Sequence, residues 1–207
     1  MKGLLLKDLY MARKYMKSYF FMIVAFLAAS LFNSENLFFV FYPCLMCGMI
    51  PMGLLGYDER SRWDAFSCTL PCTRAQMVSA KYLLGFGAQC IVILATLLLQ
   101  GLRMHLTGGI AWKELLGLLE ILVILPCLST GVTMPFMFKL GVEKGRLAYY
   151  VMVGMVCGGG VLASGLFAET GAVLTFTPGL GLLCFLSLAV YGVSWYLSIL
   201  FYQKREF

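Results

Sequence analysis

Twenty residues from Leu37 to Gly56, LFFVFYPCLMCGMIPMGLLG, pass without one Asp, Glu, Lys or Arg. A helix needs roughly 17–25 such residues to cross the hydrocarbon core of a bilayer. In lipid the backbone must bond within its own segment, so a run like this can be a helix but not a loop or an open sheet. Comparable runs recur along the chain, which is 61% hydrophobic and 13% charged, against about 25% charged for an average soluble domain. A soluble globule could not cover that much apolar surface. The expectation is an all-α integral membrane protein, a single transmembrane domain over its 207 residues.

The apolar runs place six spans at about 18–33, 37–56, 82–102, 115–138, 147–167 and 180–202. Pro43 and Pro51 in the second and Pro126 and Pro135 in the fourth remove backbone donors and are expected to bend those helices. Ahead of the first span, Leu5, Leu9, Ala12 and Met16 recur at helical spacing with Lys7, Lys14 and Lys17 on the other side. That pattern predicts an amphipathic helix lying in the interface, grading into a cytoplasmic extension of a short first span. Lys7, Asp8, Arg13, Lys14 and Lys17 interrupt the N-terminal apolar content and no small-residue cleavage site follows, which argues against a secretory signal.

The basic residues orient the chain. Of its 16 Lys and Arg residues, only Arg103 and Lys113 fall in the connections between spans 3 and 4 or 5 and 6. All the others lie at the termini, in the 57–81 loop or in the 139–146 loop. The positive-inside rule therefore puts both termini and those two loops in the cytoplasm. It also accounts for the net charge of +6 without a nucleic-acid partner.

The 57–81 loop is the longest polar interruption in the chain. Asp58 with Arg62, and Arg60 with Asp64, are spaced for i,i+4 ion pairs on a helix. Trp63, Phe66 and Leu70 would give that helix one apolar face, and Pro71 stops it. Thr73-Arg-Ala-Gln76 then reads as a capping box opening a new helix that enters the third span. Such an element can anchor the bundle at the membrane surface. It can also insert into a groove on a soluble partner and pass movement into the span it continues.

Other candidate chemistry is sparse. Cys44 and Cys47 form a CxxC, but the remaining cysteines are scattered and the single histidine, His105, falls in the external connection, so small apolar thiols are expected rather than a metal site. Glu120 is the acid within the spans, either shallow enough to reach the outer headgroups or facing a substrate pathway. Gly154 and Gly158 make a GxxxG, extended by Gly160, which fits close packing inside the chain or a moving or subunit–subunit interface.

The start MKGLLLKDLY, then Asp58-Glu59-Arg60, Trp63, Thr69-Leu70-Pro71 with Thr73-Arg74, and Lys81-Tyr82-Leu83 together resemble the ABC-2-type transporter permeases in their short six-span bacterial form. The resemblance implies a membrane subunit of an ABC exporter in the bacterial plasma membrane. It would pair with a second permease subunit and dock a cytoplasmic ATP-binding subunit. The loop helix would be the coupling helix, with Asp58, Glu59, Arg60, Arg62, Trp63, Phe66, Leu70, Pro71, Thr73 and Arg74 at or near the contact. ATP and magnesium would be held by the partner, since this chain has no GxxxxGK[ST] phosphate loop. Amphipathic or antimicrobial peptides, drugs and lipids are the cargo classes implied. Two other classes stay open on the residues alone: an immunity or sensor protein that binds toxic peptides without pumping, and a membrane enzyme, for which Glu120 is nearly the only candidate group.

Overall fold

The computed structural model describes residues 2–32, 38–67, 73–107, 112–170 and 178–204. Among them are eight helices: α1 (Lys2–Tyr15), α2 (Lys17–Phe32), α3 (Phe38–Arg60), α4 (Trp63–Ser67), α5 (Arg74–Thr107), α6 (Trp112–Leu140), α7 (Val142–Thr170) and α8 (Pro178–Gln203). Four of these, α3, α5, α6 and α8, are long and apolar enough to cross a membrane, and α1 with α2 makes a fifth candidate as one bent pair. The expected all-helical membrane architecture is therefore observed. Both α2 and α7 occupy positions predicted for spans.

α1 and α2 meet at 71° across Met16, whose amide still bonds Ala12 O while its own carbonyl accepts from Tyr19 and Phe20. The joint is thus a turn in bonded backbone. The face of α1 that packs inward is not quite the predicted stripe. Asp8, Ala12 and Met16 are buried, whereas Leu9 is 57% exposed. Lys7, expected on the polar side, is half-buried. An acid on the inward face displaces Leu9 because it has cationic partners there, described below.

α3 continues unbroken through Pro43 and Pro51, and α6 through Pro126 and Pro135. In α6, Thr130 Oγ1 bonds Pro126 O at 2.7 Å, and Gln89 Nε2 of α5 reaches Thr130 Oγ1 at 3.3 Å. Side-chain hydroxyls and amides supply such bonds where proline thins the backbone ladder. Close approach in the core comes from glycines outside the GxxxG. A Cβ on Gly48 of α3 would lie 3.0 Å from Thr130 of α6, and one on Gly131 of α6 would lie 3.5 Å from the Tyr191 backbone of α8. Small residues at these crossings let backbones pack where lipid gives no hydrophobic drive between helices.

α5 and α8 are joined by an aromatic and hydroxyl seam. Tyr82 OH lies 2.8 Å from Ser194 Oγ and 2.7 Å from Ser198 Oγ, Tyr191 OH donates to Tyr82 O, and Trp195 Nε1 donates to Ser79 Oγ. The Tyr82 and Trp195 rings stack with centroids 5.7 Å apart. At the same end of the bundle, Arg74 Nη1 at the start of α5 donates to Gln203 O at the end of α8. Contacts of this kind gather α1, the 57–81 segment, the α6–α7 turn and the end of α8 together. These are the segments that the charge count assigns to one side of the membrane.

Candidate functional site

The loop predicted at 57–81 is shorter than its sequence suggests, because helices take both of its ends. α3 runs on to Arg60, and α5 starts at Arg74. Between them the chain turns at Ser61 and Arg62. Ser61 N bonds Tyr57 O, Arg62 N bonds Glu59 O, and Ser61 Oγ bonds Asp58 O. Arg62 has φ of 51°, left-handed backbone that costs a non-glycine residue roughly 1–2 kcal/mol. Over its described residues, 58–67, the predicted helix is thus two pieces, the last turn of α3 and the five-residue α4. A left-handed residue in between breaks the i,i+4 register that would have paired Asp58 with Arg62.

Asp58 finds its partners elsewhere. Its carboxylate lies 2.7 Å from Lys7 Nζ and 2.5 Å from Lys81 Nζ, and Lys81 Nζ is also 2.7 Å from Asp8. Lys7 Nζ closes the ring at 3.4 Å from Asp8. Two cations and two anions balance here, with the side chains of Asp8, Asp58 and Lys81 at most 7% exposed. Desolvating charges to this degree is tolerable only with such complete pairing. Beside them lies a cavity of about 20 Å³ bordered by Leu55, Trp63, Met77 and Phe138, room for a single water. The cluster fastens α1 to the end of α3 and the start of α5.

α4 is attached to this cluster by Trp63. Lys7 Nζ sits 3.9 Å from the centroid of the Trp63 ring, a cation–π contact. The Trp63 and Phe66 rings are 5.4 Å apart, with Trp63 half-buried and Phe66 56% exposed. Of the predicted apolar face, Trp63 therefore turns inward and Phe66 is presented outward. Leu70, Pro71 and the Asp64 side chain lie outside the described residues. The capping box forms as expected: Gln76 N bonds Thr73 Oγ1 and Thr73 N bonds Gln76 Oε1, each at 3.3 Å.

Glu59 and Arg60 are exposed on the last turn of α3. Glu59 nevertheless reaches across to α7, where its Oε2 accepts from Val142 N at 3.1 Å. The preceding residue, Gly141, has φ of 88° and closes α6 with a bond from its amide to Met137 O. It has no side chain with which to cap the next helix, and Glu59 supplies that cap from 83 residues away.

Sequence reasoning grouped Asp58, Glu59, Arg60, Arg62, Trp63, Phe66, Thr73 and Arg74, and the structure brings them to one end of the bundle. It missed Lys7, Asp8 and Lys81 as members of the site. Asp8 carried a signal: it falls between Leu5 and Ala12 on the inward side of α1, where an acid requires a cation.

The remaining candidates lie apart. Glu120 is 7% exposed and packs on α8, so that a Cβ on Gly181 would lie 3.4 Å from its Oε1. Its Oε2 has no hydrogen-bond partner among the described residues. Gly154 and Gly158 are exposed, and a Cβ on either would meet nothing within 4 Å. Among the described residues nothing packs against these two positions, and the surroundings of Gly160 lie outside them. The CxxC thiols are free and buried, with Cys47 Sγ 3.6 Å from Ala88 O, as small apolar side chains would be.

No curated protein and no solved structure matches the chain. The profile of the ABC-2 family transporter proteins matches residues 3–203, nearly the whole length and every helix described above. This chain, an apolar multi-pass helical bundle, belongs to the ABC-2 transporter family as a membrane-embedded permease component of an ABC transporter.

Proposed function

We propose that this permease couples to a separate cytoplasmic ATP-binding subunit through α4 and its flanks. The observation that carries the reading is the presentation of α4. It is a short helix set off by a left-handed turn at Arg62, with Phe66 outward and Trp63 pinned by Lys7 to a cluster spanning three helices. An aromatic knob on such a base suits a groove on a soluble partner. Arg60, Arg62 and Arg74 flank it in the sequence, and the family resemblance adds Leu70, Pro71 and Thr73 to the contact. ATP and magnesium belong to the partner in this reading.

Six spans complete the topology, with α2 and α7 crossing the bilayer alongside α3, α5, α6 and α8. The distribution of Lys and Arg supports cytoplasmic termini, and the family resemblance supports a bacterial plasma membrane. A second permease subunit pairs with this one, and the exposed Gly154–Gly158 face of α7 suits a close helix contact. The cargo is an amphipathic peptide, drug or lipid moved outward. Glu120 is assigned to its path, because a buried carboxylate oxygen with no hydrogen-bond partner among the described residues can receive a cationic group.

The test is co-purification with the cognate ATP-binding subunit. Phe66→Asp is expected to abolish association while leaving the chain folded in the membrane, because Phe66 is exposed. Wild-type association with Phe66→Asp would remove α4 from the contact.

A further inference from the structure

Asp58 and Glu59 are consecutive on the last turn of α3, yet they bind different neighbours. Asp58 holds Lys7 of α1 and Lys81 of α5. Glu59 holds the first amide of α7. On a helix, adjacent residues point about 100° apart, so one turn can reach both sides. The segment that leads into α4 is therefore fixed to three other helices through two neighbouring acids.

Gly141, the residue before α7, offers no side chain to replace this link. The turn between α6 and α7 is only Gly141, whose amide is committed to Met137 O and whose φ of 88° suits glycine alone. An N-terminal amide without an acceptor is one of the orphan donors every helix start must satisfy, and a carboxylate there also complements the helix dipole. Glycine is tightly fitted at this place too, since a Cβ on Gly141 would come within 3.3 Å of Glu59 Oε1. Arg146, one turn into α7, lies against α3 as well, 3.0 Å from where a Cβ on Gly56 would stand. The start of α7 thus bonds the end of α3 through Glu59 and packs closely on it at Arg146 and Gly56.

We propose that Glu59 is a positioning residue that makes α7 follow the coupling turn, rather than a contact to the ATP-binding subunit. The inference rests on the transporter reading above, and it changes the role that the family resemblance implied for Glu59. When the partner displaces α4, the end of α3 moves with it, and the Glu59 cap carries the start of α7 along. α7 is the helix that exposes Gly154 and Gly158, so the displacement reaches the face assigned to the second subunit.

The experiment compares the unaltered chain, Glu59→Ala and Glu59→Gln in nanodiscs, with and without the ATP-binding subunit. Hydrogen exchange is followed over 142–146, together with association and ATP turnover of the complex. Glu59→Ala is expected to speed exchange in that turn about fivefold, the loss of one cap, to keep association, and to lower stimulated ATP turnover. Glu59→Gln keeps an acceptor oxygen and is expected to restore both exchange and turnover. Unchanged exchange in Glu59→Ala would overturn the cap. Loss of association in Glu59→Ala would make Glu59 a partner contact and overturn the proposal, as would normal turnover despite faster exchange. If the unaltered chain itself failed to bind the ATP-binding subunit, the transporter reading would fall and the relay with it, while the exchange result would still decide the cap.

Discussion

The ammonium of Lys81 lies 2.5 Å from a carboxylate oxygen of Asp58, in a place where neither side chain is more than 7% exposed. The two residues belong to different helices, and each has a second partner of opposite charge, Asp8 for Lys81 and Lys7 for Asp58. A buried pair contributes uncertain net stability compared with an apolar replacement, but removing one member leaves a charge stranded. The purpose best matched to this arrangement is a fixed geometry where α1, α3 and α5 meet.

Lys81→Met is therefore expected to cost about 3–5 kcal/mol, because it leaves two acids to one lysine. Asp8→Asn in the same chain removes the surplus acid and leaves Lys7 facing Asp58. The double variant is expected to be more stable than Lys81→Met alone. Reversible unfolding in mixed detergent micelles, followed by tryptophan fluorescence, gives the double-mutant cycle. Additive costs would show that the four side chains do not act as one cluster.

The capping box gives a smaller and more local prediction. Thr73→Ala removes the hydroxyl that accepts from Gln76 N and is expected to cost about 1 kcal/mol, while Thr73→Ser is expected to be neutral within a few tenths. Hydrogen exchange over 74–78 should rise in the first variant only. Equal exchange in both would mean that the start of α5 is held by other contacts, such as Arg74 on the end of α8.

How much of this was legible beforehand follows from the range of each interaction. The capping box spans four residues and was readable as it stands. The apolar run read at 18–33 coincides with the helix Lys17–Phe32, because an uninterrupted apolar run between polar segments sets its own bounds. Asp58 is the instructive failure. The sequence offers Arg62 four residues on, and local spacing takes it, yet the real partners are 51 and 23 residues away. Nothing local ranks a distant lysine above a near arginine. The left-handed turn at Arg62 decides it, and no glycine or asparagine marks that turn. Glu59 was hidden for the same reason: a cap supplied across 83 residues leaves no trace in a four-residue motif. The glycines show the same limit from the other side. GxxxG is a recognisable pattern, but Gly154 and Gly158 face outward, while the unmarked Gly48 and Gly131 make the crossings.

That outward face yields a prediction with two readouts. Gly154→Ile adds bulk where a Cβ would meet nothing within 4 Å. The stability of the single chain is expected to change by no more than about 0.5 kcal/mol. Pairing with a second copy through this face would lose its close approach and weaken about tenfold, equivalent to about 1.4 kcal/mol. Energy transfer between labelled copies in lipid measures the second quantity. Unaltered pairing would move the subunit contact to another helix.

The seam between α5 and α8 can be tested at Tyr82, whose hydroxyl is shared by Ser194 and Ser198. Tyr82→Phe keeps the ring, its stacking on Trp195 and the bond from Tyr191 to the main-chain carbonyl, and removes only the hydroxyl. Interhelical hydrogen bonds in membranes average about 0.6 kcal/mol and reach about 1.7, so the loss of two predicts a cost of about 1–3 kcal/mol. Ser198→Ala leaves Tyr82 bonded to Ser194 and should cost about half as much. In the Tyr82→Phe background it should cost less again, since its partner is already gone. The cycle is read from unfolding midpoints in the same micelles used for Lys81. Equal costs for Ser198→Ala in both backgrounds would show that the hydroxyls lie near one another without bonding.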